Sequence, residues 1–150
     1  MEIIRHTKNS ESEVLTVAGS EYRILVDGEQ TGGNFAVIEM NIPPGSGPGL
    51  HSHKDIQETF YVAAGEVDFY SETGTTRALP GDFIDIPPGG AVHAFKNTSN
   101  EPAKLICTVM PTGLEEMFRE VSKFGMEKAK EIGERYGNKF YPADYFNKLK

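Results

Sequence analysis

"GSGPGLHSHKDIQETFYVAAG", residues 45–65, places two of the chain's four histidines two positions apart and a glutamate five positions after the second. A Gly/Pro-rich turn precedes the pair, and Thr59, Phe60, Tyr61 and Val62 follow the glutamate, so a turn here gives way to extended chain. Residues two apart on a strand point to one face, so His51 and His53 project together. A tight turn at Lys54 and Asp55 would return Glu58, on a strand beginning near Ile56, toward them. Two imidazoles and a carboxylate suit a borderline divalent ion. An H-x-H on a polar loop is also ordinary surface chemistry, and the spacing alone leaves both open.

The flanking chain has the same build. The runs "EYRILVDG", "NFAVIEMNI", "ETFYVAAGEVDFY", "DFIDIP", "HAFKN" and "AKLICTVM" alternate with "GEQTGG", "PPGSGPG", "SETGTT", "LPGD", "PPGG" and "NTSNEPA", which are turn chemistry. Short strands at regular turn spacing predict an all-β fold over about 13–110, an antiparallel sandwich or barrel. After "MPTG" the period changes. Leu114, Met117, Phe118 and Val121 recur at helical spacing with Glu115, Glu116, Arg119 and Glu120 opposite, and Thr112 is placed to cap the start with Glu115 three residues on. Gly125 interrupts, and "MEKAKEIGERYG" predicts a second helix with Glu131 and Arg135 four apart. The helical segment, about 112–137, is expected to pack on the barrel exterior.

A chain of 150 residues supports one core, so 1–150 is expected to be a single domain. Its 22 acidic against 15 basic residues give a net charge of −7, a field that repels phosphate backbones and anionic lipids, so no nucleic acid and no membrane is expected as a partner. "MEIIRHTKNSESEV" contains no sustained apolar run, and the expected location is cytoplasmic. The single cysteine, Cys107 in "KLICTVMP", excludes an internal disulfide and reads as a buried core thiol. His6 stands alone in a polar arm.

His93, in "PPGGAVHAFKN", follows a Pro/Gly turn and opens another apolar run, with Phe95 and Asn97 on its face. Three of the four histidines therefore lie in turn-flanked strand segments. Residues 45–65 resemble the first motif of the cupin superfamily, with Gly45, His51, His53, Glu58 and Gly65 at that motif's spacing. "GDFIDIPPGGAVHAFKN" is similar to the second motif, running from Gly81 through Pro87 and Gly89, or Pro88 and Gly90, to His93 and Asn97. Three residues separate Gly89 from His93 where the motif has two, and taking Gly90 restores the shorter gap. The resemblance implies a small antiparallel double-stranded β-helix (jelly-roll) barrel, with His51, His53, Glu58 and His93 as ligands of one divalent transition metal ion: iron, manganese, nickel, copper, cobalt or zinc. More narrowly, "HAFKNTSNEPAKLICTVMPTGLEEMF" is similar to single-domain cupins grouped with quercetin 2,3-dioxygenase, whose C-terminal segment also leaves the barrel through Pro-x-Gly and becomes helical.

Strand parity supplies the surroundings. If Glu58 points inward, so do Phe60 and Val62, with Ile84 and Ile86 before the "PPGG" turn and Phe95 beyond His93. A pocket of Phe60, Val62, Ile86 and Phe95 with one charged end suits a small aromatic or enolisable molecule whose oxygen binds the ion. The leading expectation is a metal-dependent dioxygenase with Glu58 both ligand and catalytic base. The alternatives are a redox-neutral isomerase or lyase, and a non-catalytic ligand-binding barrel. Parity leaves Glu39 unassigned, Asp85 is expected to face solvent or a subunit contact, not the metal, Tyr136, Phe140 and Tyr141 are candidates to close one end of the barrel, and "EVLTVAGSEYRILV" is a candidate to extend a partner's sheet in a homodimer.

Overall fold

Apolar side chains alternate with polar ones through Ala36–Ile42 and Ala103–Met110, so each segment turns one side to the core as a strand does. In the computed structural model, which describes residues 2–149, the strands are β1 (Glu13–Val17), β2 (Ser20–Val26), β3 (Ala36–Ile42), β4 (His51–His53), β5 (Gln57–Ala64), β6 (Val67–Ser71), β7 (Gly74–Ala78), β8 (Phe83–Ile86), β9 (His93–Lys96), β10 (Ala103–Met110) and β11 (Asn138–Phe140). The helices are α1 (Gly28–Thr31), α2 (Leu114–Phe124) and α3 (Ala129–Arg135). One antiparallel sheet has the order β1-β2-β3-β10-β5-β8, and the second β11-β4-β9-β6-β7.

The centre of the larger sheet follows from the two alternating segments. Met40 stands opposite Leu105 and Ile38 opposite Cys107, all buried. Burial contributes about 1.5–3 kcal/mol for each large side chain. The sheets meet face to face through Phe60 of β5, whose ring centroid lies 5.3 Å from Phe69 of β6 and 5.4 Å from Phe95 of β9. The chain crosses between sheets where its glycines permit. Gly65, at φ +69°, links β5 to β6, and a Cβ there would lie 2.6 Å from the Pro102 carbonyl oxygen. Gly47 lies against β9, and its Cβ would lie 2.0 Å from the Phe95 oxygen.

Strands β1 to β10 run from Glu13 to Met110 and helical chain from Leu114 to Arg135, as the sequence predicts. The differences are local. "GTTRA" is β7, an edge strand with only Ala78 buried, so it lacks the alternation that marks a half-buried strand. "GEQT" is the single turn α1, capped by Asp27, whose carboxylate accepts from Gln30 N–H at 3.1 Å. Thr112 does not cap α2. Gly113 holds that position, the Glu115 carboxylate accepts from Gly113 N–H at 2.8 Å and from Gly28 N–H at 3.2 Å, and the Thr112 hydroxyl turns to Gly33 O. Arg135 pairs with Glu120 of α2 at 3.3 Å in place of Glu131, which ties α3 to α2.

Arg119 fixes α2 to the barrel through Asp27 at 2.9 Å and Glu13 at 3.0 Å, and also pairs with Glu116 within the helix. The helices sit outside the two sheets, as expected, but Leu114, Met117, Phe118 and Val121 are buried and join the same core as Leu15, Val17 and Tyr22. Phe118 meets Tyr22 edge to face at 5.0 Å. The N-terminal strands β1 and β2 take places in this chain's own sheet, with β1 at its edge. Among the described residues no helix is long and apolar enough to cross a membrane.

Candidate metal centre

His51 and His53 come from β4 in the smaller sheet, and Glu58 comes from β5 in the larger one. The turn after His53 thus carries the chain across the barrel, and the carboxylate faces the imidazoles from the opposite sheet. β9 lies beside β4 with His93 opposite His51. One donor atom from each of His51, His53, Glu58 and His93 lies within 4.8 Å of every other. Glu58 Oε2 is 2.6 Å from His53 Nε2 and 3.5 Å from His93 Nε2. His6, the fourth histidine, is exposed and outside this group.

Two backbone carbonyls orient the rings. His51 Nδ1 lies 2.8 Å from Gly49 O, and His93 Nδ1 2.8 Å from Ala91 O. A carbonyl can only accept, so each Nδ1 carries the proton and each Nε2 keeps its lone pair, the arrangement in which a histidine serves as a ligand. His93 Nε2 is buried with no hydrogen-bond partner, a cost that an ion would remove. Three imidazoles, two of them oriented in this way, and one carboxylate fit a divalent transition metal.

The surroundings set the charges. Burial, and then the neighbouring His93, push His51 down to about 4, so it is neutral near pH 7. Burial opposes a charge on His53, but the hydrogen-bonded Glu58 outweighs it and moves that group above 6.5. Burial alone would raise Glu58, yet the hydrogen bond from His53, with His93 close by, prevails and holds its carboxyl well below 4.5. These directions predict the pH profile of the ion-free protein. Stability from His53 is complete below 6.5 and is lost as pH rises through its folded value. Stability from His51 is lost as pH falls from 6.5 to about 4, because the unfolded chain takes its proton first. Glu58 adds to the acid-side loss below 4.5. Calorimetry of chelator-treated protein should show a midpoint that peaks near 6.5, and a midpoint still rising toward pH 4 would contradict a neutral, enclosed His51.

A cavity of about 350 Å³ opens from this centre, with His51 and Glu58 at its polar end. Its walls are mostly apolar: Tyr22 and Met40 from the larger sheet, Phe95 from β9, Met117, Phe118 and Val121 from α2, and Asn138 and Phe140 from β11. Of the expected pocket residues, only Phe95 lines it. Phe60 and Val62 point inward as parity requires, but both are fully enclosed in the core and do not line this cavity. Ile86 is placed differently too, beside His93 in a separate depression with Phe69 and Ile84. Glu39 faces away from the cavity, paired with Arg23 at 3.1 Å and Lys104 at 3.6 Å, and the exposed Asp85 accepts from Gln57 at 2.8 Å.

Cys107 is buried, as its neighbours predict, and it also reaches the site, its thiol 3.3 Å from Glu58 Oε1. Burial first, and then the Glu58 charge, push this thiol well up, so it stays protonated and donates. Phe140 lies on the cavity wall and Tyr141 beside it bonds Ser52, while Tyr136 packs against the core. Sequence reasoning missed Tyr22 and Asn138, although the alternation of "SEYRILV" marks Tyr22 as inward. No comparable signal marks Asn138.

The family model described as "Cupin domain" matches residues 38–109, a span that holds all four candidate ligands. A quercetin 2,3-dioxygenase from Bacillus subtilis is 24% identical over 137 residues, covering 91% of this chain and 37% of that protein. An oxalate-binding protein from Thermotoga maritima is 30% identical over 71 residues, covering 47% of this chain and 58% of that protein. This chain therefore spans less than two thirds of either relative. Among solved structures, a sugar phosphate isomerase of similar fold from Silicibacter pomeroyi has a TM-score of 0.56 at 27% identity, covering 63% of this chain and 60% of that one.

Proposed function

We propose that this chain, which belongs to the cupin superfamily, is a metal-dependent dioxygenase for a small aromatic or enolisable compound that offers one oxygen to the ion. One observation carries this reading: an ionised, buried Glu58 stands beside His51 at the polar end of an otherwise apolar cavity. The ion held by His51, His53, Glu58 and His93 would supply Lewis acidity and one-electron chemistry. The chain's own residues do the rest. Glu58, at that polar end, is placed to accept the proton of a substrate hydroxyl. Phe95 and Phe118 offer faces to a planar body, and the walls of α2 exclude water from it. Burial, then Cys107 and Glu58, raise Tyr22, whose phenol therefore stays protonated and can donate a hydrogen bond. The similarity to quercetin 2,3-dioxygenase over 91% of this chain supports the same direction.

The redox-neutral alternative draws on the isomerase of similar fold, but its phosphorylated substrate class would meet, among the described residues, Lys130 as the one lysine or arginine of the cavity wall. A non-catalytic binding barrel is the third possibility, in line with the similarity to an oxalate-binding protein. We take the protein to act in the cytoplasm, away from nucleic acid and membranes given its charge of −7, and as a homodimer formed through the open edge of β1.

Oxygen uptake decides among these. Protein loaded in turn with iron, manganese, cobalt or nickel is expected to consume dioxygen with 3-hydroxyflavone or a catechol, and zinc-loaded protein is not. Anaerobic turnover by the zinc form would move the assignment to redox-neutral chemistry. Tight binding of a probe with no turnover under any ion would leave a binding barrel.

A further inference from the structure

We infer that β11 sets how firmly the centre holds its ion, because β11 is what fixes the strand that carries two of the ligands. The inference rests on the metal reading of the site. β4 has only three residues, and β9 pairs with it at a single position, His51 opposite His93. On its other side β11 pairs with all three: Asn138 opposite His53, Lys139 opposite Ser52, Phe140 opposite His51. Tyr141 extends the clamp, its N–H donating to Leu50 O at 3.0 Å and its hydroxyl lying 3.1 Å from Ser52 Oγ. Residues opposite one another in an antiparallel pair project to the same face, so Asn138 and Phe140 stand on the ligand side of the sheet, where both line the cavity.

β11 is in turn held by the helices. Gly133 of α3 packs directly on the Phe140 ring, where a Cβ would lie 2.5 Å from Cζ, and Asn138 Nδ2 donates to Met117 Sδ of α2 at 3.2 Å. The path from helix to ion is therefore continuous: α3 presses Phe140, Phe140 and Tyr141 place β4, and β4 presents His51 and His53. Ion affinity depends on the orientation of such ligands and falls when their support is loosened.

Gly133→Ala in the full chain isolates this path. Alanine is the better helix former, so α3 itself is not weakened, yet the methyl group displaces Phe140. Release of Co2+ to a chromogenic chelator is expected to quicken about tenfold or more, with a changed visible spectrum of the bound cobalt. Adding Phe140→Leu, which removes the colliding ring edge, is expected to restore both the rate and the spectrum. Tyr141→Phe, which loses only the contact with Ser52, should quicken release about threefold. Val67→Ala serves as the control, because Val67 is buried in β6, two strands from β4, and its loss should lower the thermal midpoint without touching release. Unchanged release in Gly133→Ala and Tyr141→Phe overturns the inference, as does release that follows the thermal midpoint equally in Val67→Ala. If Gly133→Ala does not fold, Tyr141→Phe carries the test. Wild-type protein that takes up no cobalt would overturn the metal reading itself, a result distinguishable from normal uptake with indifferent variants.

Discussion

Glu58→Gln protein is expected to keep its ion while turnover falls by a factor of about 10² to 10⁴. The side chains have the same shape, so the amide oxygen can stand where Oε2 now lies, 2.6 Å from His53 Nε2, with the three imidazoles unchanged. Losing the carboxylate charge also removes what raises His53, which becomes neutral over a wider range and remains a ligand. What the amide cannot do is accept a proton from a substrate hydroxyl. The measurement pairs elemental analysis with steady-state oxygen uptake on the same preparation. Full activity with a full complement of ion would remove the base from the mechanism. Activity that falls only in proportion to the ion would leave Glu58 a ligand and nothing more.

How much of this was legible before the structure varies by the kind of information involved. The ligands lie in motifs of fixed spacing, and Gly45 to Gly65 with Gly81 to Asn97 point to four side chains that the fold brings within 4.8 Å. The barrel strands follow from alternation, which β3 and β10 display along their whole length. The cavity does not follow in the same way, because parity gives the face of a strand and not the depth along it. Phe60 shares the inward face of Glu58 but lies two residues, about 6.6 Å, further along β5, away from the mouth and into the core. Which end is the mouth depends on where α2 lands, and that rests on contacts distant in sequence, Arg119 with Asp27, 92 residues away, and Phe118 with Tyr22. β11, with three residues and only Asn138 buried, carries too little pattern to announce itself.

That distinction of depth makes Phe60→Ala the sharper test of where the core ends and the site begins. The substitution is expected to cost about 3–5 kcal/mol of stability and to leave ion content and probe preference unchanged. The Phe60 ring is 1% exposed and meets Phe69 and Phe95 at 5.3 and 5.4 Å, while those two rings lie 5.5 Å from each other. This trio joins the sheets, and β5 is held on both sides, by Cys107 of β10 and Ile84 of β8 opposite Phe60, so the backbone cannot collapse into the space left behind. Denaturant unfolding of chelator-treated protein reads the loss directly, and elemental analysis of the same variant reads the centre. The position of Glu58 does not depend on the ring beneath it, because His53 and Cys107 hold the carboxylate from two other strands. If Phe60→Ala instead kept its stability and changed which probe it oxidises, the ring would belong to the pocket, and the cavity would have to extend past Glu58 toward the trio. A large stability loss with the site intact places the floor of the cavity at Glu58 and Phe95, and leaves substrate selection to the wall built by α2 and β11.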